Sequence, residues 1–341
     1  MSVFTQFDFD NDVVENQKVK VSSGIFSGGT GTLTAFYTAS AQTATGSFYS
    51  VYHQDPDDSS TSSTAEVQFD IGFAHFFGSG SAGNLLATKG GTNGNRETAA
   101  NYRQFANVLL PPGTEKFTFT SAPSESNAFY FVAFNRARMR EKIDPGNWEL
   151  RLGNGKFIDD SGATTNPTVN EGGRVFNIVS GSLETGTGVI NTAAASQQGG
   201  GIGLFYPDLG IILLNAPKIE ISGGLGVHDR AADQHISRSE AFFDSIVSGS
   251  SFTARREEEI SSTNYFVRVN NKNFNFSSNP TYTTASDGSL TQPTYFKDPK
   301  TFITQVGLYN DDNELLAIAK LSQPILKSKS REALIKVKLD F

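Results

Sequence analysis

At 341 residues the chain is long enough for more than one hydrophobic core, so two domains are expected. Its 28 Lys and Arg against 35 Asp and Glu leave a formal net charge of −7, which argues against a general nucleic-acid or membrane-surface binder, since either needs a basic footprint. Cysteine is absent, which removes disulfide frameworks, thiolate zinc sites and cysteine nucleophiles together.

The 28 Phe and 10 Tyr, set against one Trp and two Met, suit a core built on pleated, half-buried surfaces. Gly (33 residues), Ser, Thr and Asn crowd the gaps between apolar runs, which is turn chemistry used often. Residues 1–12 lack the basic and apolar regions of a signal peptide. Gly210–Ala216 is the nearest approach to a membrane span and falls far short of the ~20 residues required. A soluble product of the cytoplasm is the expectation.

Near the start, Asp8, Asp10 and Asp12 imitate the opening of a calcium loop, but Val13 and Val19 occupy the positions that need Gly and Glu. With Phe7 and Phe9 between the carboxylates, an alternating strand is the simpler expectation. Val67, Phe69, Ile71 and Phe73 alternate with Gln68, Asp70 and Gly72, which predicts one face in the core and the other in water. A helix is predicted from Thr98 to Leu110, its stripe made by Tyr102, Phe105, Ala106 and Leu109 and its end by Pro111-Pro112.

Phe117 and Phe119 alternate with polar neighbours, as do Trp148, Leu150 and Leu152. Between them, Ala128 to Phe134 is apolar on both faces and predicts a central strand. Ser237 and Glu240 form a capping box ahead of Phe242, Phe243, Ile246 and Val247, with Gly249 closing a second helix. Polar stretches at 55–64, 78–96, 153–173 and 181–201 read as long loops that order against neighbours in an assembly.

Towards the C-terminus, Thr301–Tyr309 and Glu314–Leu321 predict a hairpin around Asn310-Asp311-Asp312-Asn313, with Pro324 breaking its second strand. Ile335, Val337, Leu339 and Phe341 then alternate with Lys336, Lys338 and Asp340, a strand that pins this end into a sheet. The charged run Arg255, Arg256, Glu257, Glu258 and Glu259 marks a boundary in 250–262. The expectation is a β-rich body at 1–254 and a smaller C-terminal β domain at 255–341. The fold class is mainly β: an antiparallel, sandwich-like body with one or two short helices and long loops.

Motifs that carry chemistry are sparse. Residues 78–83 match the dinucleotide pattern GxGxxG by letter, but no strand-turn-helix unit follows, and a flexible loop is the plainer reading. His53, His75, His228 and His235 have no zinc-binding spacing, and His75 among Phe73, Phe76 and Phe77 reads as a core or interface residue. His228-Asp229 and His235 could serve a serine, yet there is no GxSxG elbow, and a solvated loop is the favoured reading. Asp144, Glu149, Asp208 and Asp229 are candidates for paired carboxylates in glycan cleavage, but their separations cannot be read from sequence. No catalytic, cofactor-binding or metal-binding residue is therefore assigned, and no cofactor is expected.

Three stretches carry a resemblance: 203–212 (GLFYPDLGII), 264–269 with 274–280 (NYFVRV and FNFSSNP), and 302–311 with 314–324 (FITQVGLYND and ELLAIAKLSQP). Together they resemble virion structural proteins of T4-like contractile-tailed phages, those of marine cyanobacteria in particular, most clearly over 210–341. The resemblance implies a non-enzymatic subunit of the tail or baseplate, assembled in the host cytoplasm and present in many copies. Its partners would be other virion proteins, with neither nucleic acid nor membrane. The alternatives are a head or neck component, or a tail module that binds a receptor or glycan, with glycan cleavage a remoter version.

Overall fold

The computed structural model describes residues 5–40, 48–78, 94–119, 125–162, 167–183, 201–222, 225, 237–284 and 287–340. The chain divides into two compact units, a body of residues 20–258 and a second unit that unites 1–19 with 259–341. The protein is mainly β, with antiparallel sheets throughout.

In the body, β3 (Tyr49–Tyr52), β4 (Val67–His75), β7 (Ala128–Phe134), β13 (Ile211–Asn215), β12 (Gly203–Tyr206), β11 (Gly173–Ser180), β9 (Gly155–Asp159) and β8 (Lys142–Leu152) lie side by side in that order. Beyond β8 comes β14 (Phe252–Val269), and β1 (Val13–Gly24) lies on its other side. Short β10 (Thr168–Asn170) joins β11, and β2 (Thr32–Leu33) joins β14. The sheet curls on itself. Phe252 near one end of the order packs against Phe69 near the other at 5.2 Å, and Trp148 of β8 reaches Phe205 of β12, also at 5.2 Å. That closure makes the body sandwich-like, with one core inside it.

The central strand β7 shows why its sequence is apolar throughout. Tyr130, Val132 and Phe134 enter the inner core, whereas Phe129 and Phe131 face a second cluster under α2 (Gly94–Leu109). Tyr102, Ala106 and Leu109 of α2 are buried there, as the predicted stripe requires. Helix α5 (Ser237–Gly249) serves the inner core, with Phe242 at 4.9 Å from Tyr130 and Ile246 beside it.

Neighbouring β4 departs from the alternation read in its sequence. Gly72 and Ala74 are buried as well as Phe69, Ile71 and Phe73, because helices cover both faces. Gln68 is fully buried too: its Nε2 donates to Ser27 Oγ (2.8 Å) and the Glu66 carbonyl (2.7 Å), and its Oε1 accepts from Ser27 N (2.9 Å). A saturated amide is tolerated in a core, so the polar letter misled.

Other expectations are also corrected. The stretch 153–173 contains β9 and β10, and the run around Phe117 forms only the two-residue β5 (Phe117–Thr118), paired with β6 (Glu125–Ser126). Three short helices went unread: α1 (Phe9–Asp12), α3 (Arg136–Met139) and α4 (Ala216–Ser222). The charged run read as a boundary lies inside the continuous strand β14, and the division between the two units falls within it, between Glu258 and Glu259. Its charges are matched by distant partners, Glu257 by Lys142 of β8 (3.1 Å) and Glu258 by Arg140 in the turn before that strand (3.0 Å).

The second unit is made from both ends of the described chain. Residues 262–269 of β14 pair with β17 (Ala333–Asp340), Ser262 opposite Asp340 and Val269 opposite Ala333. Phe7 packs on Tyr265 at 5.6 Å, and Asp12 accepts from Arg268 Nε at 2.7 Å. A two-stranded ribbon, β15 (Lys300–Tyr309) with β16 (Leu315–Ser328), shares a small core of Leu308, Ile335 and Val337 with that pair. Pro324 does not end β16. Pairing skips from Ile303–Ile325 to Gln305–Lys320, so 321–324 bulge out opposite Thr304 alone, and a bulge needs no N–H at proline.

Candidate functional site

The residues singled out in the sequence are dispersed. Asp8 caps α1, accepting from Asp10 N (3.2 Å) and Asn11 Nδ2 (2.6 Å), so the acidic triplet forms a helical turn instead of the expected strand. His75 is buried, its Nδ1 accepts from Phe77 N at 3.2 Å, and burial pushes the imidazole down to about 4. His53 is partly exposed and meets the backbone of Glu66 and the side-chain amide of Gln68, at 3.4–3.5 Å. Residues 79–83, His228, Asp229 and His235 lie outside the described residues. Among the described residues no group of His, Asp and Glu could hold a metal ion, and no helix is long and apolar enough to cross a membrane.

Each described carboxylate candidate is engaged by its own partner. Glu149 accepts from Arg151 Nε (2.6 Å) and Leu183 N (2.7 Å). Asp208 binds Arg174 through Nη2 (2.7 Å) and its backbone N (3.0 Å); burial would raise its carboxyl, but those bonds outweigh it and hold it below the ordinary range. Asp144 accepts from Asn147 Nδ2 (2.7 Å) and hydrogen-bonds Glu257.

That last contact is the closest approach to acid-base machinery, and one of its members was not singled out. Burial raises the Asp144 carboxyl. Burial also acts to raise Glu257, but bonds from Lys142 and Lys20 overcome it and hold the group low. The two carboxyls are thus pushed in opposite directions within one hydrogen-bonded pair, Asp144 upward and Glu257 downward. A glycosidase needs ~5 Å or more between its carboxyls for sugar or water. Direct contact leaves no such gap, so the pair ties β8 to β14.

A second buried ion pair also escaped the sequence. Arg238 of α5 donates through Nη2 to Glu220 of α4, and its guanidinium lies 5.8 Å from the Phe73 ring and 5.9 Å from that of Tyr130. Both side chains are nearly sealed from solvent, and the contact holds two helices on the sheet.

A candidate interaction surface lies on the second unit. The ribbon β15–β16 buries one face and leaves large apolar side chains on the other: Phe302 (60% exposed), Leu316 (68%) and Ile318 (52%). Leu334, opening β17, is 64% exposed. Among the described residues no further strand pairs with β15 or β16, so both ribbon edges present free backbone groups. This surface can bind by apolar contact and by strand addition. The predicted hairpin pattern identified the strands. It could not show which face is covered, since both faces carry Leu, Ile and Val.

Comparison of the chain with protein-family models, curated proteins and solved structures finds no match.

Proposed function

We propose that this chain is a non-enzymatic structural subunit that binds copies of itself or other proteins of a large particle. The particle is a tailed-phage virion, and the place is its tail or baseplate. The observation that carries the assembly reading is the exposed apolar face of the β15–β16 ribbon beside free strand edges. Isolated soluble domains rarely leave such a surface uncovered. The virion placement rests on the resemblance of 203–212, 264–280 and 302–324 to phage structural proteins. The acidic balance of −7 favours protein partners over nucleic acid or anionic lipid.

The test is immunogold labelling of purified phage particles with antibody raised to this chain. Label confined to the tail or baseplate supports the placement, label on the capsid or neck moves it, and unlabelled particles that also lack the chain by mass spectrometry refute it. Incubation with host surface polysaccharide covers the remaining alternative: release of oligosaccharide would overturn the non-enzymatic reading.

A further inference from the structure

The ribbon of the second unit is electrically polar along its length. At its tip, Asp311, Asp312 and Glu314 are exposed beside exposed Leu315 and Leu316. At the opposite end, where β16 turns into β17, Lys329 and Arg331 are exposed beside Ile325 and Leu334. The tip is framed by acids, whereas the turn carries two cations, Lys329 and Arg331, against the one exposed acid Glu332, so the two ends differ in net sign.

Both ends are held in shape before any partner arrives. At the tip, Glu314 N donates to Asn310 Oδ1 (2.7 Å), Asn310 Nδ2 donates to Glu314 Oε2 (2.9 Å), and Asn313 takes the left-handed conformation with φ 62°. At the turn, Arg331 N donates to the Ser328 carbonyl (3.2 Å). Buried Lys327 anchors the turn by donating to the carbonyls of Asn271 (3.0 Å) and Ser328 (2.9 Å) and to Asn275 Oδ1 (3.0 Å). Glu332, the acid within this turn, accepts from Asn271 N at 3.5 Å. Among the described residues Asp311, Asp312, Lys329 and Arg331 have no ion-pair partner.

We infer that copies of this chain associate head to tail, the acidic hairpin tip of one seated on the basic β16–β17 turn of the next. The inference rests on the assembly reading above and names its partner, a second copy. Ten residues of β15 separate the ends by roughly 30 Å, several times the screening length of ~8 Å at physiological salt, so the ends do not neutralise each other. Tip-to-tip or turn-to-turn contact would oppose like charges, which selects the heterologous arrangement over a two-fold dimer. Repeated, that contact closes a ring or extends a filament.

Sedimentation velocity of the full chain tests this. At ~50 mM salt, concentration-dependent species larger than a dimer are expected, with association at least ~10-fold weaker at ~500 mM. The pair Asp311→Lys with Asp312→Lys, and separately Lys329→Glu with Arg331→Glu, should each weaken self-association at least ~10-fold. Mixing the two variants should restore it, because the reversed tip now fits the reversed turn. Unchanged Trp148 fluorescence and far-UV circular dichroism verify folding. Wild-type association that ignores both reversals overturns head-to-tail docking while leaving the assembly reading standing. A strict monomer that still labels phage tails does the same; a strict monomer absent from particles defeats both.

Discussion

His75 allows a quantitative test of how tightly the body is packed. The residue ends β4 with its ring 6.2 Å from Phe73 and 6.1 Å from Phe77, and its Nδ1 is already an acceptor for the Phe77 N–H. An ordinary imidazole titrates near 6.5, whereas burial moves this one to about 4. The unfolded chain thus takes up a proton below 6.5 that the folded chain refuses until about 4, so the stability tied to neutral His75 is complete above 6.5 and lost as pH falls through that window. At about 1.4 kcal/mol per pH unit, the full window is worth about 3 kcal/mol. Half-buried Asp70 and buried Asp144 and Asp159 are raised by desolvation, so their contribution runs the other way and is lost as pH rises above the ordinary carboxylate range. A difference measurement removes them. Urea unfolding followed by Trp148, the single tryptophan and fully buried in the body core, should be compared for wild type and His75→Gln at several pH values. Glutamine keeps an acceptor for Phe77 N without the charge. The gap between the proteins should change in favour of the variant by about 3 kcal/mol from pH 7 to pH 4. A gap independent of pH would refute the buried, neutral imidazole.

Three further perturbations probe other parts of the structure. A Cβ on Gly203 would stand 2.1 Å from the Leu213 carbonyl oxygen, so Gly203→Ala should force β12 from β13 and lower body stability by about 2–3 kcal/mol in the same urea assay. Glu220→Ala strands Arg238 in the core and should cost about 3–5 kcal/mol, whereas the double change Glu220→Leu with Arg238→Met should return close to wild type; equal losses in the two proteins would contradict the picture. Lys327→Met leaves three acceptors unmatched and should destabilise the second unit by about 2–3 kcal/mol. Hydrogen exchange of β15–β17 amides would record this as faster exchange, and unchanged protection would count against it.

The sequence made legible what depends on near neighbours. Ala128–Phe134, the stripe of α2, the α5 start at Ser237 and the β15–β16 hairpin all declared themselves through periodicity or turn residues within a short window. Elements sustained by distant partners did not. Strand β1 (Val13–Gly24) carries exposed Val14, Val19 and Val21 and gains its place by lying next to β14. The run Arg255–Glu259 marked a boundary but not a strand, because its charges are answered by Lys142, Arg140 and Lys18, far away in sequence. Of the site, the ribbon's strands were readable but its uncovered face was not. Arg238–Glu220 and Asp144–Glu257 left no trace, since burial converts ordinary surface letters into structural ones only when the fold brings them together.

The split composition of the second unit has a consequence for biosynthesis. Residues 5–19 emerge from the ribosome early, yet Tyr265 and Arg268, which hold them, follow only after the entire body has been translated. The body is thus an insert that can fold while its host unit is still incomplete. The charged ends of the ribbon are encoded later still, so a chain truncated within the body lacks the ribbon on which the proposed docking depends. Under the proposed head-to-tail docking, chain order itself would act as a proofreading step, admitting only those copies whose synthesis has run past β17.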